Sequence, residues 1–196
     1  NVMTIHAVMH GLPNGTSFYE KYNFMRNTKY NISGMLLSLL EIEHNILRAQ
    51  TSSPYSIFGP VSIKTSSFSE RDPKHKLLLQ KAFPLVSFVL FTASASSPPL
   101  TTLWDPSTVK QEMRRSTAQY LQEHIQVDKK NKSILVPEQF RWYWKDFGGA
   151  KMKVLNTVIH LCADTAVAAD INELLKLTQK PRIAFVNFDW TFVLKL

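Results

Sequence analysis

The chain has 196 residues, 44% of them hydrophobic and 19% charged, which suits one well-buried domain and excludes a mainly disordered state. A formal net charge of +8 invites a nucleic-acid partner, but the cations are scattered: Lys129, Lys130 and Lys132 in one turn, Lys74 and Lys76 near another, Arg114 and Arg115 on a helix, Lys151 and Lys153 at a helix start. Only Arg141, Trp142, Tyr143, Trp144 and Lys145 interleave cations with aromatics as single-strand binders do, so solvated surface is expected and nucleic acid is not.

A single cysteine, Cys162, excludes an internal disulfide and a multi-cysteine zinc site, and its apolar helical surroundings predict a buried small hydrophobe. No apolar stretch reaches the roughly eighteen residues a spanning helix needs, and the first residues do not read as a signal peptide. A cytoplasmic protein is expected. Sequons at Asn14, Asn31 and Asn131 would need a secretory context that these features do not supply.

The chain opens at Asn1 in helical periodicity through Val2, Ile5, Val8 and Met9, without an initiator Met, so an upstream portion is expected. Gly11, Leu12, Pro13, Asn14 and Gly15 carry turn chemistry, and Phe18, Tyr19, Tyr22 and Phe24 form an aromatic segment of open type. Residues 29–32 and 35–37 flank Ser33-Gly34, the right length for a hairpin. Ser38 and Glu41 then spell a capping box, which predicts a helix through Ile42, Ile46 and Leu47 to about Arg48. Residues 49–73 are rich in Ser, Thr and Pro and read as an extended loop or flap; residues 73–82 suggest a short helix.

Residues 83–91 form an apolar run that predicts a central strand buried on both faces. It empties into Thr92, Ala93, Ser94, Ala95, Ser96 and Ser97 before Pro98-Pro99. Such a crowded, hydroxyl-lined loop suits either a tight connection packed under another element or a nucleophile that a substrate can approach closely. Further on, Asp105-Pro106 predicts a helix start, with a core face of Val109, Met113, Tyr120 and Leu121. Residues 124–127 and 133–136 read as a second hairpin, residues 137–140 as the start of a short helix, and Leu155, Val158 and Ile171, Leu174 as two further helices. Residues 182–188 alternate into a last strand. The mixed order without regular strand-helix alternation predicts an α+β single domain over residues 1–196, a small mixed or antiparallel sheet with hairpins packed against several helices.

Three groups of residues suit chemistry. His6 and His10 share one helix face, but Ala7 stands where a zinc protease would carry its Glu, so no metal is expected. Glu43-His44 offers an imidazole beside a carboxylate, although adjacent helical residues point about 100° apart, so the partner that orients His44 is expected from elsewhere. Arg48 follows His44 by four residues on the same face. Ser94, Ser96 and Ser97 are hydroxyl nucleophile candidates with His44 as base, without a G-x-S-x-G elbow to strain and expose them. Asp146 and Asp189 are placed to order loops by accepting backbone N–H bonds.

Taken together, these motifs resemble a known family. Gly34, Ser38-Leu39 and Ile42-Glu43-His44-Asn45-Ile46-Leu47-Arg48 are similar to the G-x-x-x-S-L-x-x-I-E-H-x-I-L-R signature of domain of unknown function 547. Residues 88–100 resemble its F-A-L-x-C-A-S-x-S-C-P-P-L segment, residues 140–148 its F-K-W-Y-x-x-D-F-G segment, residues 183–190 its closing strand with Y-D-W, and residues 1–6 the second half of its opening helix, so that the likeness runs over nearly the whole chain. Where the family pattern has two cysteines and a histidine, this chain has Thr92, Ser97 and Ser87. The resemblance implies the fold and a placement beside other modules in larger proteins; if the family's chemistry uses a cysteine thiolate, as a paired Cys and His would suggest, it cannot run here. It names no reaction.

The expectation is therefore a non-catalytic scaffold or interaction domain with a degenerate site at His44, Glu43, Thr92 and Ser97, bordered by Ser87, Ser94, Arg48, Trp142 and Asp189. Its partner would be an unidentified protein or other domains of a larger chain, with no cofactor. The alternative is a hydrolase or transferase in which Ser97 or Thr92 replaces cysteine and His44 is the base.

Overall fold

Positive φ at Ser33 (50°) and Gly34 (82°) turns the chain between β1 (Lys29–Ile32) and β2 (Met35–Ser38), which pair antiparallel. Gly takes this backbone at no steric cost, and the Asn31 side chain accepts the Gly34 N–H at 2.9 Å to hold the turn. The computed structural model describes residues 6, 9–10, 18–48, 68–81, 83–90, 94–98 and 105–191. Most of the opening helix, the turn at residues 11–15 and nearly all of the loop at 49–73 lie outside them.

The chain forms two compact units: one drawn from Asn1–Val86, Leu90–Leu100 and Asp189–Leu196, the other from Ser87–Val89 and Thr101–Phe188. In the first, the aromatic segment of open type is a helix, α1 (Phe18–Asn27), leading into the β1–β2 hairpin. Helical residues 39 and 40 then run into a π-helix over Glu41–Leu47. The short helix expected after Asp72 is a 3-10 helix at Pro73–Leu77, started by the Asp72 carboxylate accepting the Lys74 N–H at 2.9 Å.

One expectation fails here. Residues 83–90 do not form a strand; Pro84–Phe88 is a 3-10 helix, and Val86, Phe88 and Val89 are buried as the apolar pattern requires, while residue 91 lies outside the described residues. Pro84 explains the difference, since its ring fixes φ near a helical value and it has no N–H to give a sheet ladder. Burial was legible in this segment and its backbone was not.

The second unit is built on a mixed sheet in the order β3 (Gln126–Asp128), β4 (Ser133–Pro137), β5 (Arg182–Val186). The β3–β4 hairpin is antiparallel, and β5 returns parallel to β4 with Ile134 opposite Ile183 and Val136 opposite Phe185. A parallel return requires a long crossover. It contains α3 (Gln139–Trp142), a 3-10 turn at Trp144–Phe147, α4 (Lys151–Leu161) and α5 (Ala166–Leu177). Before the sheet, α2 (Val109–His124) starts three residues later than Pro106 suggests, because Asp105 spends its carboxylate on the Ser107 N–H at 2.7 Å and on the Ser107 hydroxyl, forming a turn and not the cap.

Ile134 and Val136 project from the sheet into a core with Leu121, Val154, Leu155, Val158, Ile171 and Leu174, all inaccessible to solvent. Phe88, Phe140 and Phe147 cluster beside it with ring centroids 4.7 to 5.6 Å apart, in the offset range aromatic pairs prefer. Cys162 is buried there as expected, its thiol facing the Ala118 carbonyl at 3.8 Å, and burial pushes its pKa up. The fold class is α+β, as the element order implied.

Candidate functional site

The site begins at the end of β2. The Ser38 N–H donates to Glu41 Oε2 at 2.8 Å and the Glu41 N–H donates to the Ser38 hydroxyl at 3.1 Å, so the predicted capping box is formed in full. Lys74 Nζ, 33 positions along the chain, closes on Glu41 Oε1 at 2.9 Å and stands over the Phe68 ring at 5.3 Å. Burial works to raise the Glu41 pKa, but the Ser38 N–H and the Lys74 cation outweigh it and hold the carboxyl below its usual range.

The helix that follows is wider than an α-helix: the Arg48 N–H reaches back five residues to the Glu43 carbonyl at 3.1 Å. Such π-turns are uncommon and recur at functional sites. Five side chains on this segment and its end carry polar chemistry, and three of them, His44, Asn45 and Arg48, are buried. Glu43 Oε1 lies 3.8 Å from His44 Nε2, longer than a hydrogen bond but within ion-pair range. Glu43 thus stands beside the imidazole without a hydrogen bond that would fix its orientation.

Burial drives the His44 pKa down, Glu43 partly opposes this and Arg48 reinforces it, so the imidazole is neutral at physiological pH. Its Nδ1 is buried and, among the described residues, makes no hydrogen bond. A neutral ring with one unengaged nitrogen is the protonation state a general base requires.

The loop at residues 94–98 belongs to the same unit and is organised otherwise. Ser94 and Ser97 are fully buried. The Ser97 hydroxyl donates to the Ser94 carbonyl at 2.9 Å and lies 3.3 Å from the Pro98 carbonyl. The turn is fastened to the far end of the chain: the Ala95 N–H donates to the Thr191 carbonyl at 2.9 Å, the Ser96 N–H to the Asp189 carbonyl at 3.2 Å, and the Asp189 N–H to the Ser96 hydroxyl at 2.9 Å. Asp189 orders its own turn by accepting the Thr191 N–H at 2.9 Å, the role its position implied.

The predicted site residues thus separate into groups. Glu43, His44 and Arg48 come together on the π-helix, and Ser94, Ser97 and Asp189 come together around the turn. His44 makes no hydrogen bond to a loop hydroxyl among the described residues. Thr92 lies outside them. Ser87 and Trp142 belong to the second unit, where the buried Trp142 packs on Phe188 at 4.9 Å. Trp190 is half-buried.

Sequence reasoning missed the Lys74–Glu41 bond and the Ser96–Asp189 fastening, both long-range contacts without a local signal. It also missed Glu138, a buried carboxylate that accepts the Phe188 N–H at 2.8 Å and pairs with Arg141. Among the described residues, no group of three or more His, Cys, Asp or Glu side chains is placed to hold a metal, and no helix is long and apolar enough to cross a membrane.

The family described as "Protein of unknown function, DUF547" matches residues 1–121, and the chain belongs to it. The segments at 140–148 and 183–190 that resemble its later motifs lie outside the matched residues. Comparison with curated proteins and with solved structures gave no match.

Proposed function

We propose that the chain is a catalytically degenerate member of its family, a scaffold or protein-interaction domain that keeps the Cys/His-type framework without its nucleophile. The observation that carries this reading is Ser97. By the sequence resemblance it stands where the family pattern carries a cysteine; it is buried, and its hydroxyl donates to a main-chain carbonyl at 2.9 Å. A carbonyl cannot take up that proton, and a serine hydroxyl without a base is a poor nucleophile. Ser96 likewise serves the backbone, as the acceptor for Asp189.

The second reading is a hydrolase or transferase with Thr92 or Ser97 as nucleophile, and the His44 pair favours it. His44 is neutral, buried and next to a carboxylate, which is more than a scaffold needs. A cytoplasmic setting and a protein partner, or other domains of a larger chain, belong to the first reading.

Fluorophosphonate labelling separates the two. The degenerate reading expects no adduct in residues 92–97, and the hydrolase reading expects a stoichiometric one that His44→Ala abolishes.

A further inference from the structure

The second unit holds a concave site that neither reading uses. A cleft of about 360 Å³ lies where the start of α4 meets the approach to β5, with Lys151, Lys180 and Arg182 on its walls. Met152 and Ile183 give it an apolar side and Gln179 a neutral donor. Pro181 is buried between Lys180 and Arg182 and fixes the backbone there, while the Arg182 N–H is tied to the Lys132 carbonyl at 2.9 Å. The two cations therefore stand on an anchored segment.

Several cations elsewhere in the chain are paired. Lys74 is neutralised by Glu41, Lys129 by Asp170 and Glu173, and Arg141 by Glu138. Among the described residues Lys151, Lys180 and Arg182 form no ion pair, and no carboxylate lines the cleft. Three cationic residues lining one concavity without a carboxylate favour an anion there. The volume falls in the small-molecule range of about 300–1,000 Å³. Guanidinium and ammonium groups together suit phosphate oxygens, the first as a fork and the second as a point charge.

We propose that this cleft binds a small molecule bearing two or more phosphate groups, with Lys180 and Arg182 as the principal contacts and Lys151 opposite. The probes are pyrophosphate and inositol trisphosphate, titrated into the full isotope-labelled chain and followed by backbone amide shifts. Shifts are expected at Lys151, Met152, Lys180 and Arg182, with affinity that falls as salt rises. The Lys180→Gln/Arg182→Gln variant should bind at least about tenfold more weakly, and Lys110→Gln on α2 should bind as the natural chain does. If the double variant fails to fold, each single substitution is expected to weaken binding about threefold, since both side chains are exposed. Vesicles carrying phosphatidylinositol bisphosphate distinguish the source: binding to vesicles as well as to the soluble headgroup identifies a lipid, and binding to the soluble probes alone a free phosphorylated compound. Absence of shifts at the cleft, equal affinity in the double variant, or tighter binding of a single-stranded oligonucleotide at these same amides would overturn the proposal.

Discussion

Ser96 and Asp189, 93 positions apart, hold each other by two hydrogen bonds: the Ser96 N–H gives to the Asp189 carbonyl at 3.2 Å and the Asp189 N–H gives to the Ser96 hydroxyl at 2.9 Å. The hydroxyl-rich turn is thereby a structural clasp closing the first unit on the segment that follows β5.

Ser96→Ala removes the acceptor of the Asp189 N–H while leaving the backbone bond. The expected loss is about 1 kcal/mol in urea unfolding, with faster amide exchange at Asp189. Unchanged exchange there would show that the clasp does not depend on the side chain.

The capping box gives a second expectation. Ser38→Ala should lower stability by about 1 kcal/mol without changing the fold. The Glu41 pKa is depressed below its ordinary value of 4.5, so the stability it contributes is complete above that value and is lost as pH falls through the folded-state pKa. Acid titration of the unfolding midpoint should therefore show a shallower drop in Glu41→Gln than in the natural chain. Parallel curves would contradict the assignment.

His44 reports on its own burial. Its folded-state pKa lies below the ordinary 6.5, so above that pH both states are neutral, and below it only the unfolded chain gains the proton. Stability should fall as pH drops from 6.5 toward the folded value, by at most about 1.4 kcal/mol per pH unit from this group. His44→Gln should reduce that slope. An imidazole that titrates at or above 6.5 by NMR would refute the buried, neutral ring.

In the second unit, Phe140→Ala should cost about 3–5 kcal/mol, because the ring is inaccessible and packs between Phe88 and Phe147. Trp142→Ala should be similarly severe and Trp190→Ala milder, as Trp190 is half-buried. Equal costs at the two tryptophans, read from chemical unfolding, would contradict this ordering.

Local chemistry made much of this fold legible. Ser33-Gly34 and Ser38 with Glu41 act within four residues of one another, so the hairpin and the capping box could be read directly. Their hydrogen bonds appear as expected. The apolar run at 83–91 announced burial but not backbone, because a short continuous run carries no period and Pro84 decided the outcome. The π-helix was not readable, since nothing in the residues of Glu41–Leu47 sets them apart from about two turns of α-helix. The candidate site divides along the same line: Glu43, His44 and Arg48 were found because they share a segment, whereas the engagement of Ser96 by Asp189 is tertiary.

The proposed reading holds that the hydroxyls of residues 92–97 are not nucleophiles, and covalent labelling tests it most directly. The natural chain is treated with a fluorophosphonate and, separately, with iodoacetamide, and the adducts are located by peptide mapping. No adduct is expected at Thr92, Ser94, Ser96 or Ser97, and Cys162 should alkylate slowly because it is buried. A stoichiometric adduct at a loop hydroxyl that disappears in His44→Ala would contradict the degenerate reading and establish a hydroxyl nucleophile with His44 as its base.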